Sequence, residues 1–362
     1  MSTVMKKVDA VIVGFGWTGA IMAKELTEAG LNVVALERGP MQDTYPDGNY
    51  PQVIDELTYS VRKKLFQDVS KETVTIRHSI KDVALPNRQL GVFLPGNGVG
   101  GAGLHWSGVH FRVDPTELRM RSHYEERYGK NFIPEGMTIQ DFGVSYEELE
   151  PFFDYAEKVF GTSGQAWTVN GQLVGQGKGG NPYAPDRSDN FPLVSQKNTY
   201  SAQLFQKAAN EVGYKPYNLP SANTSGPYTN PYGAQMGPCN FCGFCSGYVC
   251  YMYSKASPNV NILPALKPLP NFELRPNSHV LRVNLDSSIR RTLLNWKEPR
   301  ITRSAGCSHS RPWASTYVTP VALLLVLSRL TFSTWELGRS SNLGSWRKAG
   351  RMFTFGEALE YM

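Results

Sequence analysis

The sequence predicts an α/β fold organised on a parallel sheet, from three observations in its first 39 residues. Ala10 to Val13 is a short apolar run that reads as a buried strand, and Gly14, Gly16 and Gly19 follow it with G-x-G-x-x-G spacing. A helical pattern starts near Trp17 and yields to a second apolar run, Asn32 to Leu36, which ends in the acid Glu37. Strand, tight turn, helix and parallel strand within about 30 residues make a Rossmann-like dinucleotide-binding unit. Gly14 permits the sharp turn, Gly16 lets a pyrophosphate approach the backbone, and Gly19 lets helix and strand pack closely. Thr18 sits in the first helical turn, whose N–H groups face an anion, while Glu37 would accept from ribose hydroxyls with Arg38 beside it. These spacings do not separate FAD from NAD.

At 362 residues the chain has material for two domains or one large one, and its 41% hydrophobic and 19% charged content is that of a globular protein. Its formal charge of +6 points to an acidic partner only if the charge is spread along the chain. Of 37 Lys and Arg residues, 11 lie from Ser287 onward, against 4 of 31 Asp and Glu, so the preceding stretch is near neutral. Nucleic-acid binding is therefore not expected. The opening MSTVMKK lacks the apolar core and cleavage site of a secretory signal. The longest apolar run, Val321 to Leu327, is far short of the roughly 20 residues a membrane span needs, so no direct span is expected.

Helical spacing around Val53 to Phe66 and strand-like alternation in Glu72 to Arg77 lead to a second glycine cluster, Gly96 to Gly108. Such a cluster abolishes regular structure unless something must come close to the backbone. Val99, Leu104, Trp106, Val109 and Phe111 are interleaved through it and beyond, which is not how a solvated linker is composed. Gly100-Gly101-x-Gly103-x-His105-Trp106 resembles the flavin-contacting loop of the glucose-methanol-choline (GMC) oxidoreductases. The stretch Val144 to Glu157 resembles that family's helix after the loop, and Leu36-Glu37-Arg38-Gly39 matches the end of its fingerprint. The resemblance covers roughly residues 8 to 286 and is strongest to the large subunits of bacterial membrane-associated gluconate and related sugar dehydrogenases. It implies FAD as cofactor, with contacts from Gly14, Gly16, Thr18, Gly19, Glu37, Arg38, Gly100, Gly101, Gly103 and His105, and from the Val280 backbone to the adenine. Gly-Leu-His-Trp also resembles the Ser-Thr-His-Trp of pyranose oxidases, where the histidine is bonded covalently to flavin. His105 is accordingly expected either to carry that bond or to pack beside the ring.

Gly161 to Gly237 is rich in Gly, Pro, Asn, Tyr and Ser, with one helical interlude at Ser201 to Val212, and reads as an ordered, loop-heavy substrate cap. Four of the five cysteines follow as Cys239-x2-Cys242-x2-Cys245-x4-Cys250, a crowding that suits a metal centre better than a disulfide framework. The compact spacing resembles loops that wrap iron–sulfur clusters, with structural zinc and free or redox-active thiols as alternatives. Cys239, Cys242, Cys245 and Cys250 are the candidate ligands; the sugar-dehydrogenase resemblance implies a three-iron cluster held by three cysteines, which would leave one of the four, Cys242 before the others, as a non-ligand. It also implies a sugar or sugar-acid substrate, a small export-signal-bearing subunit, a cytochrome c partner, and a place at the periplasmic face of the inner membrane through those partners.

Asn271 to Arg275 and Ser278 to Asn284 read as two short strands, with His279 a surface or packing residue. From Ser287 the composition breaks: there is no Asp, while 9 Arg, 11 Ser and 4 of the 7 Trp crowd the stretch, and no strand or sustained helical period can be traced. The resemblance calls for a C-terminal half ending in a His–Asn or His–His pair, and none is present. A frameshift near residue 287 is the expectation, with a divergent basic extension as its alternative. The domain reading is an incomplete GMC fold: 1–160 the N-terminal FAD-binding part, 161–237 the cap, 238–286 the cysteine cluster and return to the FAD domain, 287–362 an anomalous tail. No catalytic residue is named, since the base would lie in the missing half, and the chain as written is expected to be inactive. Three other readings remain: a nicotinamide-linked reductase, a zinc-binding non-enzymatic module, and a non-functional fragment.

Overall fold

Ala10, Val11, Ile12 and the run Val33 to Leu36 are all buried, and they form two parallel strands whose continuous apolar character is that of a sheet covered on both faces. In the computed structural model, residues 3–42, 44, 65–68, 74–76, 85–87, 95–285, 292–297 and 314–318 are described, and the chain divides into two units. The first unit takes residues 1–41, 98–101 and 266–361, and the second takes 42–97 and 102–265, with the terminal Met362.

In the first unit, β1 (Thr3–Val8), β2 (Ala10–Val13), α1 (Trp17–Glu28) and β3 (Val33–Leu36) are followed late in the chain by β4 (Phe272–Arg275) and β5 (His279–Leu285). Then come β6 (Thr292–Lys297) and β7 (Ala314–Val318). β3 is the centre of a three-stranded parallel sheet in the order β4-β3-β2, with Ala10 opposite Val33 and Phe272 opposite the same residue on the other side. The crossover from β2 to β3 is α1, as parallel pairing requires. The side chain of Asp9 accepts from both the backbone and the amide of Asn32 at 2.8 and 2.7 Å, which fixes the start of this pairing. A second sheet runs β1-β7-β6-β5, parallel between β1 and β7 and antiparallel elsewhere. Val11, Val34 and Leu36 form a buried cluster against which Met5, Val8, Val13 and Val280 pack.

In the second unit the longest element is α2 (Tyr146–Phe160). Ser145 starts it with a capping box: its hydroxyl accepts from the Glu148 N–H at 3.2 Å while the Glu148 carboxylate accepts from the Ser145 N–H at 2.8 Å. Gly161 ends it in the left-handed conformation at φ 65°, where a Cβ would also press on Tyr228 and Thr224. The segment between 161 and 237 is loop-heavy, with two-residue strand pairs such as 228–229 with 235–236 and one regular helix, α3 (Tyr200–Glu211), capped by Thr199.

Expected strands and helices fall within three residues of their observed bounds where they are described. The expected helix around Val53 lies mostly outside the described residues. The tail differs from expectation in one respect: β6 and β7 fall where no strand period is readable, and β6 pairs with β5 while β7 pairs with β1. Residues 286–291, 298–313 and 319–362 lie outside the described residues.

Candidate functional site

The first unit gathers most of the expected nucleotide contacts around the end of β2. Gly14 turns the chain at φ 90°, and a Cβ on Gly19 would overlap the Gly14 carbonyl oxygen and crowd Ile12. Gly19 is thus what allows α1 to lie against the turn. Gly16 is the N-cap of α1 and supplies no side-chain cap, and an added Cβ there would meet nothing within 4 Å. Thr18, half-buried, is in the first turn. The second glycine cluster closes on this turn. The Gly100 N–H donates to the Phe15 carbonyl at 2.7 Å, Val99 donates to Pro40 at 3.0 Å, and a Cβ on Gly101 would come to 3.2 Å from the Gly16 Cα. Two glycine-rich backbones, 84 residues apart from Gly16 to Gly100, therefore share one surface beside an open helix start.

Glu37 is buried at the end of β3, where its two oxygens accept from the Phe15 and Gly39 N–H groups at 2.9 and 2.8 Å. Burial pushes its carboxyl above the usual range, partly offset by those amide donors. Each oxygen retains a second lone pair, so the geometry is compatible with a ribose acceptor. Arg38 follows half-buried, and Val280 lies on β5 packed on the Val11 and Leu36 cluster.

The 3-10 turn Gly101–Leu104 leads into His105 and Trp106, which belong to the second unit. His105 is buried, its ring edge-on to Phe66 at 4.7 Å, and its Nε2 has no hydrogen-bond partner. Burial, then the positive charge of Lys255, lowers its pKa to about 4, so the imidazole is neutral. Leu104 packs in a buried cluster with Leu65, Phe66, Tyr248 and Val249, joined by Phe244. The flavin-type loop and the cysteine run are thereby in contact, and the Gly247 N–H donates to the His105 carbonyl at 2.7 Å.

Cys239, Cys242, Cys245 and Cys250 are all half-buried free thiols. Burial raises the Cys239 and Cys245 thiols; neighbouring cysteines add to both, the Phe241 N–H opposes at Cys239, and the charge of Lys255 opposes at Cys245. Two sulfurs accept backbone donors, Cys239 from Phe241 at 3.4 Å and Cys250 from Lys255 at 3.5 Å. Among the described residues no three His, Cys, Asp or Glu side chains converge as a metal-holding group. The thiols suit a thiolate-bound centre by donor type and by spacing along the sequence only.

Two features escaped the sequence reading. One is a buried ionic network after the glycine loop: Glu157 on α2 receives Arg112 through bonds of 3.0 Å to each oxygen, and also Arg187 from the cap. The other is Lys255, 1% exposed. It is the only charged residue between Lys215 and Lys267, a readable signal. No helix among the described residues is long and apolar enough to cross a membrane.

No family model matches the chain. Over 287 residues, 79% of this chain and 47% of the relative, it is 78% identical to the gluconate 2-dehydrogenase flavoprotein of Pantoea cypripedii. It is 26% identical over 245 residues to the fructose dehydrogenase large subunit of Gluconobacter japonicus, covering 63% of this chain and 39% of that one. Paromamine 6'-oxidase of Streptomyces fradiae matches at 25% identity over 77% of this chain and 41% of its own. Among solved structures, pyridoxine 4-oxidase from Mesorbium loti aligns with a TM-score of 0.42 and 17% identity, over 86% of this chain and 47% of that one. The chain spans less than half the length of these curated relatives. With its β–α–β unit in place and 78% identity across most of its length, the chain is a homologue of the gluconate 2-dehydrogenase flavoprotein, and its weaker relatives are GMC-type oxidoreductases.

Proposed function

We propose that the chain is the flavin-binding part of an FAD-dependent dehydrogenase that acts on a CH–OH group of a sugar or sugar acid, gluconate above all. The observation that carries this reading is the seating of Gly100 and Gly101 on the Phe15–Gly16 turn beside an uncapped helix start. Open space at Gly16 and aligned N–H groups at α1 suit a pyrophosphate, and Glu37 suits the ribose. In the second unit, the orphaned Nε2 of the neutral His105 suits a flavin contact, and Gly103 before it is buried. Bound FAD would supply the hydride acceptor; the protein's part is to bind, orient and exclude water. The test is titration of the purified chain with FAD and with NAD. Saturable FAD binding without NAD binding supports the proposal, and preference for NAD overturns it. Acid precipitation separates the two His105 readings: flavin that stays with the pellet is covalent, and flavin wholly in the supernatant is not.

The finer reading has an iron–sulfur centre on three of Cys239, Cys242, Cys245 and Cys250, with electrons leaving to a cytochrome c subunit. A small subunit would carry the export signal to the periplasmic face. Support comes from the thiol spacing and the two backbone donors to sulfur. Iron with acid-labile sulfide in the purified protein is the expected analysis, and zinc alone would favour the zinc module. We further propose that the reading frame shifts near residue 287, because the 287-residue extent of the 78% match is about the length that precedes the compositional break. Translation of the DNA after codon 286 in the other two frames tests this: a GMC-like C-terminal half in one of them is expected, and its absence from both overturns it.

A further inference from the structure

Lys255 is fully buried, and among the described residues its ammonium is hydrogen-bonded to carbonyl oxygens and to no carboxylate. Its ammonium donates to three carbonyls: Trp106 at 2.7 Å, Cys245 at 2.6 Å and Tyr248 at 2.7 Å. Three acceptors for three N–H bonds are the complement of a protonated lysine, so the charge is held by backbone dipoles. Those carbonyls come from two loops, one carrying His105 and Trp106, the other the cysteines. Three further bonds stitch the same seam. The Gly247 N–H donates to the His105 carbonyl at 2.7 Å, the Trp106 indole donates to the Ala256 carbonyl at 2.8 Å, and the Lys255 N–H reaches the Cys250 sulfur at 3.5 Å. Leu104, Tyr248 and Val249 fill the apolar side of it.

We propose that Lys255 is a positioning residue that locks the His105–Trp106 loop to the cysteine loop and fixes a positive charge beside His105, so that a flavin held there is easier to reduce. The inference rests on the flavin reading above. Burying an ion is costly, and a lysine serving only to tie loops could be replaced by an apolar side chain and a turn. A cation fixed by three carbonyls is instead suited to favouring the more negative, reduced form of a nearby redox group. The charge is felt on both sides of the seam: it lowers the pKa of His105 and interacts with Cys245, Cys250 and Cys242.

The test compares the full chain with Lys255→Met, Lys255→Gln and Lys255→Arg in two measurements. Amide exchange of residues 103–107 and 245–250 should rise together by about tenfold or more in Lys255→Met, since hydrogen bonds to a charged group are lost. The reduction potential of bound flavin should fall in Lys255→Met and Lys255→Gln and return toward the original in Lys255→Arg. Unchanged exchange, or a rise in one loop alone, overturns the clamp. An unchanged potential in variants that retain flavin overturns the electrostatic role. Should Lys255→Met not fold, Lys255→Gln against Lys255→Arg gives the same decision. Chain that binds no flavin would defeat the flavin reading, while exchange still decides the clamp.

Discussion

Gly16 and Gly19 sit three residues apart and make opposite predictions. A methyl at Gly19 would overlap the Gly14 carbonyl, so Gly19→Ala should lower stability by about 1–3 kcal/mol, the usual range for overpacking, and weaken FAD binding with it. At Gly16 an added Cβ meets nothing within 4 Å, so Gly16→Ala should leave the unfolding midpoint nearly unchanged and still weaken FAD, because the proposed pyrophosphate would lie in that space. Denaturant unfolding and FAD titration of both variants check the pair, and equal stability losses would contradict it. His110 carries a pH prediction. It is buried against Phe160 with its Nδ1 2.8 Å from the Thr162 hydroxyl. Burial above all, with Arg112 and Arg187 adding to it and Glu157 opposing, lowers its pKa to about 4. A depressed folded pKa means the unfolded chain takes up the proton first as pH falls. The stability is therefore full above the ordinary value near 6.5 and is lost between there and 4, by about 3 kcal/mol at most. His110→Gln should flatten that part of the stability profile, and parallel profiles would contradict the assignment. The glycines were readable because each answers to a steric demand within a few residues. The partners of His110 were not, because Thr162 is 52 positions away and nothing local specifies it.

Helix α2 shows what pattern reading reaches and what it misses. It was placed from a family resemblance over Val144 to Glu157, and the structure supplies the local reasons: Ser145 and Glu148 form a capping box, and Phe153, Ala156 and Phe160 are buried. Glu157 sits on that buried face and would count as an exception to the pattern. The structure explains it by Arg112 and Arg187, which arrive from 45 and 30 residues away and ion-pair with it. Burial pushes the Glu157 carboxyl up, but the two guanidiniums outweigh it and hold the group below the usual range. Glu157→Gln leaves the buried Arg187 without its anion and Arg112 with Glu150 alone, and should destabilise the second unit by about 3–5 kcal/mol. A loss below 1 kcal/mol in urea unfolding would show that the network is solvated. The cysteine run was readable by spacing, yet the seam that joins Lys255 to the His105–Trp106 loop depends on contacts about 150 residues apart, beyond any local pattern. Strands β6 and β7 escaped for a different reason: six and five residues of mixed composition carry too little alternation to be told from a turn.

For the whole molecule, the coverage of its relatives sets the expectation. The chain spans 47% of the Pantoea cypripedii flavoprotein, and hydride transfer from an alcohol needs a positioned base that typically contributes about 10² to 10⁴ in rate. Among the described residues, the one histidine of the first unit is His279, exposed at the start of β5. Assayed with gluconate, glucose and fructose and an artificial one-electron acceptor, the 362-residue chain should show no turnover even when loaded with flavin. Rates comparable to a full-length relative would mean that the residues after Ser287 form a working C-terminal part. The central claim concerns binding, and the most direct measurement of it is the stoichiometry of FAD on the purified chain, measured alongside Gly16→Val. The account predicts about one FAD per chain, no competition by NAD, and loss of binding in Gly16→Val with folding retained, as expected for a pyrophosphate on the glycine turn. Undiminished FAD in Gly16→Val, or NAD bound in its place, would contradict it.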